Sequence, residues 1–150
     1  MDVVDRNILR SLQQDGSLSI AALAVKVGTS AASCWRKVRA LESAGILGRT
    51  VRLVDARKVQ RGVNVMCQVR LKSHAPQSRR GIEQLLESHD EIMECYAMSG
   101  EWDYLLRIVV ADIEEYERFL MKNVLNHDSV ATVASNFALS QLKYSTALPV

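Results

Sequence analysis

The sequence has few of the residues that interrupt a chain or cross-link it. It contains only 2 Pro and 7 Gly in 150 residues, and 48% of its residues are apolar. This composition is typical of a globular protein and argues against a fibrous or disordered chain. The three cysteines are odd in number and widely spaced, so they form neither a disulfide framework nor a Cys-x-x-Cys metal or redox motif.

Long hydrophobic runs are also missing. The longest segments without a charge, residues 16–25 and 129–142, contain Ser, Thr, Asn or Gln, and neither resembles the apolar span of about 20 residues that a membrane helix needs. The chain begins with acidic residues and an immediate helical pattern, unlike a secretory signal. We therefore expect a cytoplasmic protein in a reducing setting.

Catalytic motifs are absent as well. The sequence has no Gly-x-Ser-x-Gly elbow, P-loop, Gly-x-Gly-x-x-Gly or His-Glu-x-x-His motif. The three histidines, at positions 74, 89 and 127, share no metal-ligand spacing. We therefore expect a protein that is not an enzyme and that needs no cofactor or metal.

Charge is distributed unevenly within a net charge of +2. Residues 1–60 contain ten Lys or Arg and five Asp or Glu, a balance of +5, whereas residues 61–150 contain nine and twelve, a balance of −3. A basic first part joined to an acidic second part indicates a module that faces nucleic acid and a module with another role.

The first 45 residues predict three short helices. Asp2, Ser19 and Ser30 are suited to cap the amino ends of the helices, and apolar residues recur at helical spacing after each cap. Gly28 stands where a left-handed residue ends the second helix, two residues before Ser30. Two helices joined by such a tight turn form a helix-turn-helix.

The next segment, residues 46–54, alternates in polarity and predicts a strand or short hairpin that bears Arg49 and Arg52. It stands where a winged helix-turn-helix has its wing. The segment after it, residues 55–62, is polar and charged and predicts a linker. The predicted first domain therefore covers residues 1–54.

From residue 63 the pattern predicts strand, helix, two strands, helix and strand. Val63, Val65, Cys67, Val69 and Leu71 alternate with polar residues, and the last strand is expected over Val130–Leu142. This order is that of the ferredoxin-like fold, so the predicted class is α+β, with a second domain at residues 63–150. The helices of that fold cover one face of the sheet, and a second copy of the chain is the expected cover for the other.

The third helix is expected to face DNA. Steps of about 100° place small and cationic residues opposite its apolar stripe, and the amino end of a helix favours phosphate. We expect Arg36 to read a base, whereas Lys37 and Arg39 contact phosphate. A solvated polar face is the alternative. The predicted DNA-binding residues are Ser30, Ala32, Ser33, Arg36, Lys37, Arg39, Arg49 and Arg52.

Two further residues of this helix are expected in the core. Trp35 lies on the apolar stripe, so core packing is favoured over stacking on a base. Cys34 is interpreted as a small buried hydrophobic residue, since a reactive thiol needs exposure and a lowered pKa.

A polar turn at residues 99–104 is the unusual feature of the second half. Gly100 lets a ligand approach the backbone, and Glu101 and Asp103 supply carboxylates that suit the ammonium group of an amino acid. From this chemistry alone, an acidic solvated loop is favoured over a ligand site.

Several segments in order resemble one family, the leucine-responsive/AsnC transcription regulators of bacteria and archaea. The opening helix Asp5-Arg6-Asn7-Ile8-Leu9, the third helix from Ser30 to Glu42 with Cys34-Trp35-Arg36-Lys37-Val38, and the turn Gly100-Glu101-Trp102-Asp103 are each similar to the corresponding family segment. Ser135-Asn136-Phe137 and the ending Lys143-Tyr144-Ser145-Thr146 resemble its last strand and tail. Together these segments extend over essentially the whole chain.

The resemblance implies a DNA-binding regulator that pairs through its carboxy-terminal sheets and assembles into dimers, often octamers. It implies an amino-acid effector held between dimers. Because Asp103 follows Gly100 at the strand end where the resemblance places this effector, we expect Asp103 to serve the ligand rather than only to hold the turn. Carried over to this sequence, the effector-binding residues are Met98, Ser99, Gly100, Glu101, Trp102, Asp103, Ser135, Asn136 and Phe137.

The sequence departs from the family pattern at several of these positions. Ala31 and Ser33 stand where many members have Pro, Ala40 stands where a basic residue is frequent, and Trp102 replaces the commoner Tyr. Two other functions stay open: an architectural DNA-binding protein without an effector, and a metabolic protein that binds amino acids.

Overall fold

The computed structural model describes all residues from Met1 to Val150 and divides into two compact units. The first unit comprises Met1–Leu53 together with Leu142–Val150, and the second comprises Val54–Gln141. None of the helices is both long and apolar enough to cross a membrane.

Three helices form the first unit: α1 (Val3–Gln14), α2 (Ile20–Val27) and α3 (Ala31–Ser43). Their polar caps are those that the sequence predicts, because the side chains of Asp2, Ser19 and Ser30 each accept a backbone N–H of the following turn. Gly28 ends α2 in the left-handed conformation with φ of 71°, which costs Gly little. The helix-turn-helix over α2 and α3 is thus confirmed.

The core of this unit is small. It consists of seven buried side chains, among them Ile8, Leu23 and Cys34, whose exposed fractions are 0%. Cys34 is therefore a buried hydrophobic residue, as expected. The prediction for Trp35 was wrong, since 51% of its surface is exposed. Trp35 lies about 100° around α3 from Cys34 and therefore outside the side of α3 that packs against α1 and α2.

The predicted wing strand at residues 46–54 was also wrong, because this segment is irregular and largely exposed. The backbone N–H groups of Ile46 and Leu47 donate to the carbonyl of Leu41 and so close the end of α3. No second strand lies beside the segment, and an isolated strand would leave its own backbone groups unpaired.

The last residues of the chain complete the first unit. The backbone N–H of Leu148 donates to the side-chain oxygen of Gln13 at 2.6 Å, and the Gln13 amide donates back to the Leu148 carbonyl at 3.2 Å. Val150 packs against the core of this unit. Residues 142–150 thus pack with residues 1–53, which differs from the sequence-based assignment of residues 63–150 to one domain.

The second unit is a four-stranded sheet covered on one face by helices. Its elements are β1 (Val63–Leu71), α4 (Pro76–Glu87), β2 (Ile92–Ala97), β3 (Tyr104–Val110), α5 (Ile113–Phe119) with a π-helical continuation at Leu120–Leu125, and β4 (Val130–Phe137). The strand order is β2-β3-β1-β4 and every neighbouring pair is antiparallel. This is the ferredoxin-like arrangement that the sequence predicts.

Alternation along β1 and β3 separates the two faces of the sheet. Residues such as Val65, Cys67 and Ile108 are buried beneath the helices with exposed fractions of 0%. The other face is only half-buried and no element of the unit covers it. It mixes apolar residues such as Met66 and Leu105 with charged ones, so it is less apolar than expected.

The last strand is shorter than predicted, because it ends at Phe137 rather than Leu142. Phe137 pairs with Val65, and the N–H of Ala138 donates to the carbonyl of Asn64. β1 begins at Val63, so the ladder has no further partner for β4 beyond this point.

Candidate functional site

The third helix presents its amino end and one face to solvent. The Ser30 hydroxyl accepts the N–H of Ser33 at 3.2 Å, which starts α3 with a satisfied cap. Ala32, Arg36 and Ala40 are exposed on the side opposite buried Cys34 and Leu41. Small side chains on either side of Arg36 leave room for a helix to enter a major groove about 12 Å wide.

Arg36 is the unpaired cation of this face. It takes part in none of the salt bridges of the chain, and its side chain is exposed. A guanidinium group in this position can donate two parallel hydrogen bonds to the O6 and N7 atoms of guanine. This geometry supports the base-reading role predicted for Arg36.

Lys37, the next residue, lies on the flank of α3 against α1. Its Nζ atom is 2.6 Å from Asp2 Oδ2 and 2.8 Å from Asp5 Oδ1, and 26% of its side chain is exposed. The hydrogen bond from Lys37 lowers the pKa of Asp2 to about 2 and also lowers the pKa of Asp5. The same bonds, that with Asp2 first, raise the pKa of Lys37. All three groups therefore stay charged at neutral pH.

Arg39 has weaker partners within its own helix. Its NH1 atom is 3.1 Å from Glu42 Oε2, and its guanidinium carbon lies 5.8 Å from the centre of the exposed Trp35 ring. Such solvent-exposed contacts contribute about 0–1 kcal/mol, so Arg39 remains available to a phosphate.

Arg49 and Arg52 are both exposed, on the irregular segment that follows α3. The structure therefore keeps these two cations accessible without fixing them on a wing strand. Contact with a DNA phosphate requires a positive charge within reach of the DNA backbone and no regular element, so both residues remain candidates for the DNA surface.

The turn between β2 and β3 begins where Met98 donates its N–H to the carbonyl of Asp103 at 2.9 Å. Ser99, Gly100 and Glu101 are exposed, and Gly100 has φ of 123° with open space where a side chain would stand. The backbone at Gly100 is therefore accessible to a ligand, as the sequence predicts.

Arg70, a residue of β1 that the sequence interpretation did not select, holds this turn. Its Nε atom donates to the carbonyl of Glu101 at 3.0 Å, its NH2 atom pairs with the Glu101 carboxylate, and its guanidinium lies 5.0 Å from the centre of the Trp102 ring. The sequence signal that could have identified Arg70 is its position near the end of β1, on the polar side of the alternating pattern.

Asp103 is committed to contacts inside the second unit. Its Oδ2 atom accepts the N–H of Leu71 at 2.7 Å, and its Oδ1 atom is 3.0 Å from Nε2 of His74. Both carboxylate oxygens therefore have partners in the chain. These contacts favour the turn-holding role over the ligand contact that the sequence suggested.

The other predicted effector residues lie on β4, which pairs with the opposite side of β1. Phe137 pairs with Val65, whereas Tyr104, which follows the turn, pairs with Val69. The partners of residues 135–137 on β1 are two to four residues from the partner of Tyr104, roughly 7–13 Å at the usual rise of a strand, and β3 and β4 lie on opposite sides of β1. The structure thus does not bring residues 98–103 and residues 135–137 together within one chain.

Ser135 and Phe137 face the helices rather than the uncovered side of the sheet. The hydroxyls of Ser135 and Tyr116 are 2.6 Å apart, and the rings of Phe137 and Tyr116 meet edge to face at 5.3 Å. Burial raises the pKa of Tyr116, so its hydroxyl stays protonated. Asn136, exposed between them, pairs with Met66 on the uncovered side.

A polar network crosses that uncovered side. Arg107 donates to Glu94 Oε1 at 2.6 Å and to Asn64 Oδ1 at 3.0 Å, and the Tyr96 hydroxyl donates to Glu94 Oε2 at 2.6 Å. The hydrogen bond from Tyr96, followed by the one from Arg107, lowers the pKa of Glu94. The network therefore stays charged and satisfied on a face that otherwise carries apolar side chains.

Comparison with known proteins matches each unit to a domain of one family. The AsnC-type helix-turn-helix domain matches residues 1–42, and the Lrp/AsnC ligand binding domain matches residues 64–148. The DNA-binding transcriptional activator DecR of Escherichia coli K12 is 34% identical over 150 residues, which cover 100% of this chain and 99% of that protein. A glutamate uptake regulatory protein of Zymomonas mobilis is 35% identical over 100% of this chain and 91% of its own length.

Solved structures agree over the full length. An AsnC family regulator of Agrobacterium tumefaciens is 41% identical with a TM-score of 0.94, covering 99% of this chain and 97% of that one. A transcriptional regulator of Neisseria meningitidis, solved as its L-Met complex, is 30% identical with a TM-score of 0.95, covering 99% and 96%. The helix-turn-helix, the ferredoxin-like sheet and these full-length matches together show that the chain belongs to the Lrp/AsnC family of transcription regulators.

Proposed function

We propose that this regulator binds duplex DNA in a sequence-specific manner through α3 and responds to an amino acid. The observation that carries the DNA-binding part is the exposed, unpaired Arg36 between Ala32 and Ala40 on the free face of a helix-turn-helix. Ser30, Ser33, Arg39, Arg49 and Arg52 complete the proposed DNA surface. Since DNA must be accessible to the protein, the proposal includes a cytoplasmic location.

A titration against duplex DNA tests this part. The probe is a duplex that the wild-type chain selects from a random-sequence pool, and the comparison is a shuffled duplex of the same composition. We expect tighter binding to the selected duplex, with an affinity that falls linearly with salt on a logarithmic scale. Equal affinity for the two duplexes would contradict sequence-specific binding.

The effector part is supported by the accessible turn at residues 98–103. Gly100 leaves the backbone open, and the relative from Neisseria meningitidis with a TM-score of 0.95 was solved with L-Met. An amino acid at this turn would meet exposed backbone groups at Ser99 and Gly100, while Asp103 and Arg70 hold the turn in shape. Because β1 separates residues 135–137 from this turn, we propose that any joint site uses these residues from a second copy.

A thermal-shift screen with the twenty amino acids tests the effector part. A ligand present at 100 times its dissociation constant should stabilise the second unit by about 2.7 kcal/mol. Stabilisation by one amino acid, or by a chemically related group, supports a sensor. If none stabilises the protein, an architectural DNA-binding role replaces the sensor role.

Self-association completes the proposal, since regulators of this family form oligomers. We propose a homodimer paired through the uncovered face of the sheet, with the octamer as its further assembly. Met66, Leu105 and Val109 supply apolar contacts there, and the network around Arg107 supplies polar ones. A two-fold pair would place two α3 helices on half-sites about one helical turn, or a multiple of it, apart.

A further inference from the structure

All four carboxylate oxygens of Asp2 and Asp5, at the start of α1, have hydrogen-bond partners. Asp2 Oδ1 accepts the N–H of Asp5 at 2.8 Å, and Asp5 Oδ2 accepts the N–H of Asp2 at 2.8 Å, which forms a reciprocal capping box. One oxygen of each carboxylate remains, and Lys37 Nζ donates to both of them. A single ammonium group thus joins the first turn of α1 to the middle of α3.

We propose that Lys37 is a positioning residue, which fixes the DNA-facing helix α3 to the first turn of α1 and does not contact phosphate. This inference rests on the proposed DNA-binding function of α3. It also reverses the expectation from the sequence, which groups Lys37 with Arg36 as a cation of the DNA surface.

Geometry and charge separate the roles of these two neighbours. Consecutive residues point about 100° apart on a helix, so Arg36 faces solvent while Lys37 faces α1. To reach a phosphate, Lys37 would have to leave two contacts shorter than 3 Å and expose two unpaired carboxylates to DNA. Those carboxylates would repel the phosphate that Lys37 is supposed to attract.

The clamp formed by Asp2, Asp5 and Lys37 acts on Arg36 through the helix that carries both residues. A bidentate contact with guanine tolerates only a few tenths of an ångström in donor–acceptor distance. The core beneath α3 buries only Cys34 and Leu41 of its side chains, so few other contacts oppose a tilt of the helix. The clamp supplies an additional fixed point one residue away from Arg36.

The test compares Lys37→Gln, Lys37→Arg and Asp5→Asn with Arg49→Gln as the control for loss of a phosphate contact. Each variant is titrated against the selected and the shuffled duplex at several salt concentrations. We expect Lys37→Gln to lower the preference for the selected duplex by about 5- to 100-fold, the range that a mismatched base pair causes. Its binding to shuffled DNA and its salt dependence should stay at wild-type values, and Lys37→Arg should restore the preference.

Asp5→Asn makes the comparison decisive. If Lys37 positions α3, this variant loses preference as Lys37→Gln does, although it removes a negative charge. If Lys37 contacts phosphate, Asp5→Asn releases it and tightens binding to both duplexes, and Lys37→Gln lowers both affinities and flattens the logarithmic salt slope by about one unit. Either of the latter results overturns the proposal, as does an unchanged preference in Lys37→Gln.

Failure of the proposed function would be distinct from failure of this inference. If the wild-type chain selects no duplex, sequence-specific binding fails, and the clamp is then judged by urea unfolding of the full chain in a Trp102→Phe background, where Trp35 is the remaining tryptophan and reports on the first unit. A lower midpoint in Lys37→Gln that Lys37→Arg restores supports the clamp. Equal midpoints in the wild type and Lys37→Gln overturn it.

Discussion

Replacement of Asp103 by Ala tests which of two roles this carboxylate has. In the structure, Asp103 accepts the N–H of Leu71 at 2.7 Å and contacts His74 at 3.0 Å. Removing it leaves a half-buried backbone donor at the end of β1 without an acceptor. We therefore expect Asp103→Ala to destabilise the second unit rather than to leave its stability unchanged.

The expected loss follows from the two contacts. A hydrogen bond to a charged group contributes about 1.5–3 kcal/mol, and the pair with the exposed His74 adds about 0–1 kcal/mol. A loss of about 2 kcal/mol corresponds to roughly 10 °C in midpoint temperature for a unit of this size. Asp103→Asn should recover part of the loss, because its amide oxygen can still accept the Leu71 N–H.

The assay is urea unfolding of the full chain in a Trp35→Phe background, where Trp102 is the remaining tryptophan and reports on the second unit. Asp90→Ala, which removes an exposed carboxylate elsewhere in the unit, is the control. If Asp103→Ala unfolds within about 0.5 kcal/mol of the control, the turn-holding role is refuted. Loss of the amino-acid response at unchanged stability would return this carboxylate to the effector site.

Four other predictions concern DNA binding, acid stability, helix packing and self-association. Arg36→Ala should reduce the free energy of binding to the selected duplex by about 1–3 kcal/mol and relax the preference at one base pair. Arg49→Ala should weaken binding to all duplexes alike and flatten the logarithmic salt slope by about one unit. Fluorescence-anisotropy titrations of both variants distinguish these two outcomes. The pKa of Asp2 is lowered to about 2 from 3.8, first by the hydrogen bond from Lys37 and then by the N–H of Asp5, so its contribution to stability is complete above pH 3.8 and disappears as the pH falls through about 2. Lys37→Gln should reduce this part of the acid unfolding curve, and identical curves for the two proteins would contradict the assignment. Gly81→Ala brings a methyl group 2.8 Å from Cε1 at the end of the His127 side chain, while Ala gains about 0.5–1 kcal/mol of helix propensity within α4. We expect the imidazole ring to turn aside and the thermal stability to stay within about 1 kcal/mol of the wild type, so a larger loss would show that the ring is held in place. Light scattering at micromolar concentration should show a species of at least twice 16.7 kDa, and Leu105→Glu on the uncovered face should shift it towards the monomer.

The sequence predicts local features with short-range causes well. The caps at Asp2, Ser19 and Ser30 and the left-handed Gly28 depend on neighbours within a few residues, and all four are observed. The alternation along β1 likewise predicts the buried face of the sheet. The wing strand was predicted from the same kind of alternation, but a strand also needs a partner, which no local pattern supplies.

Contacts between distant residues explain what the sequence interpretation missed. Nothing near Lys37 indicates that Asp2 and Asp5, more than thirty positions earlier, take its charge. The commitment of Asp103 to Leu71 and the separation of residues 98–103 from residues 135–137 depend on strand register in the same way. The apolar stripe on α3 predicted a buried Trp35, which is wrong. The width of the helix side that neighbouring helices cover depends on tertiary packing and cannot be inferred from the spacing of apolar residues.

The contact between Gln13 and Leu148 makes the DNA-facing unit discontinuous in the chain. Its helices lie within the first 53 residues, yet the residues that close it come after the entire sheet unit. During synthesis, α1 to α3 therefore emerge from the ribosome long before the segment that completes them, and the sheet unit can fold in the interval. A fragment cut after residue 54 would carry the recognition helix but would leave the Gln13 side chain without its backbone partner, so such a fragment is a poorer stand-in for the whole regulator than its domain pattern suggests.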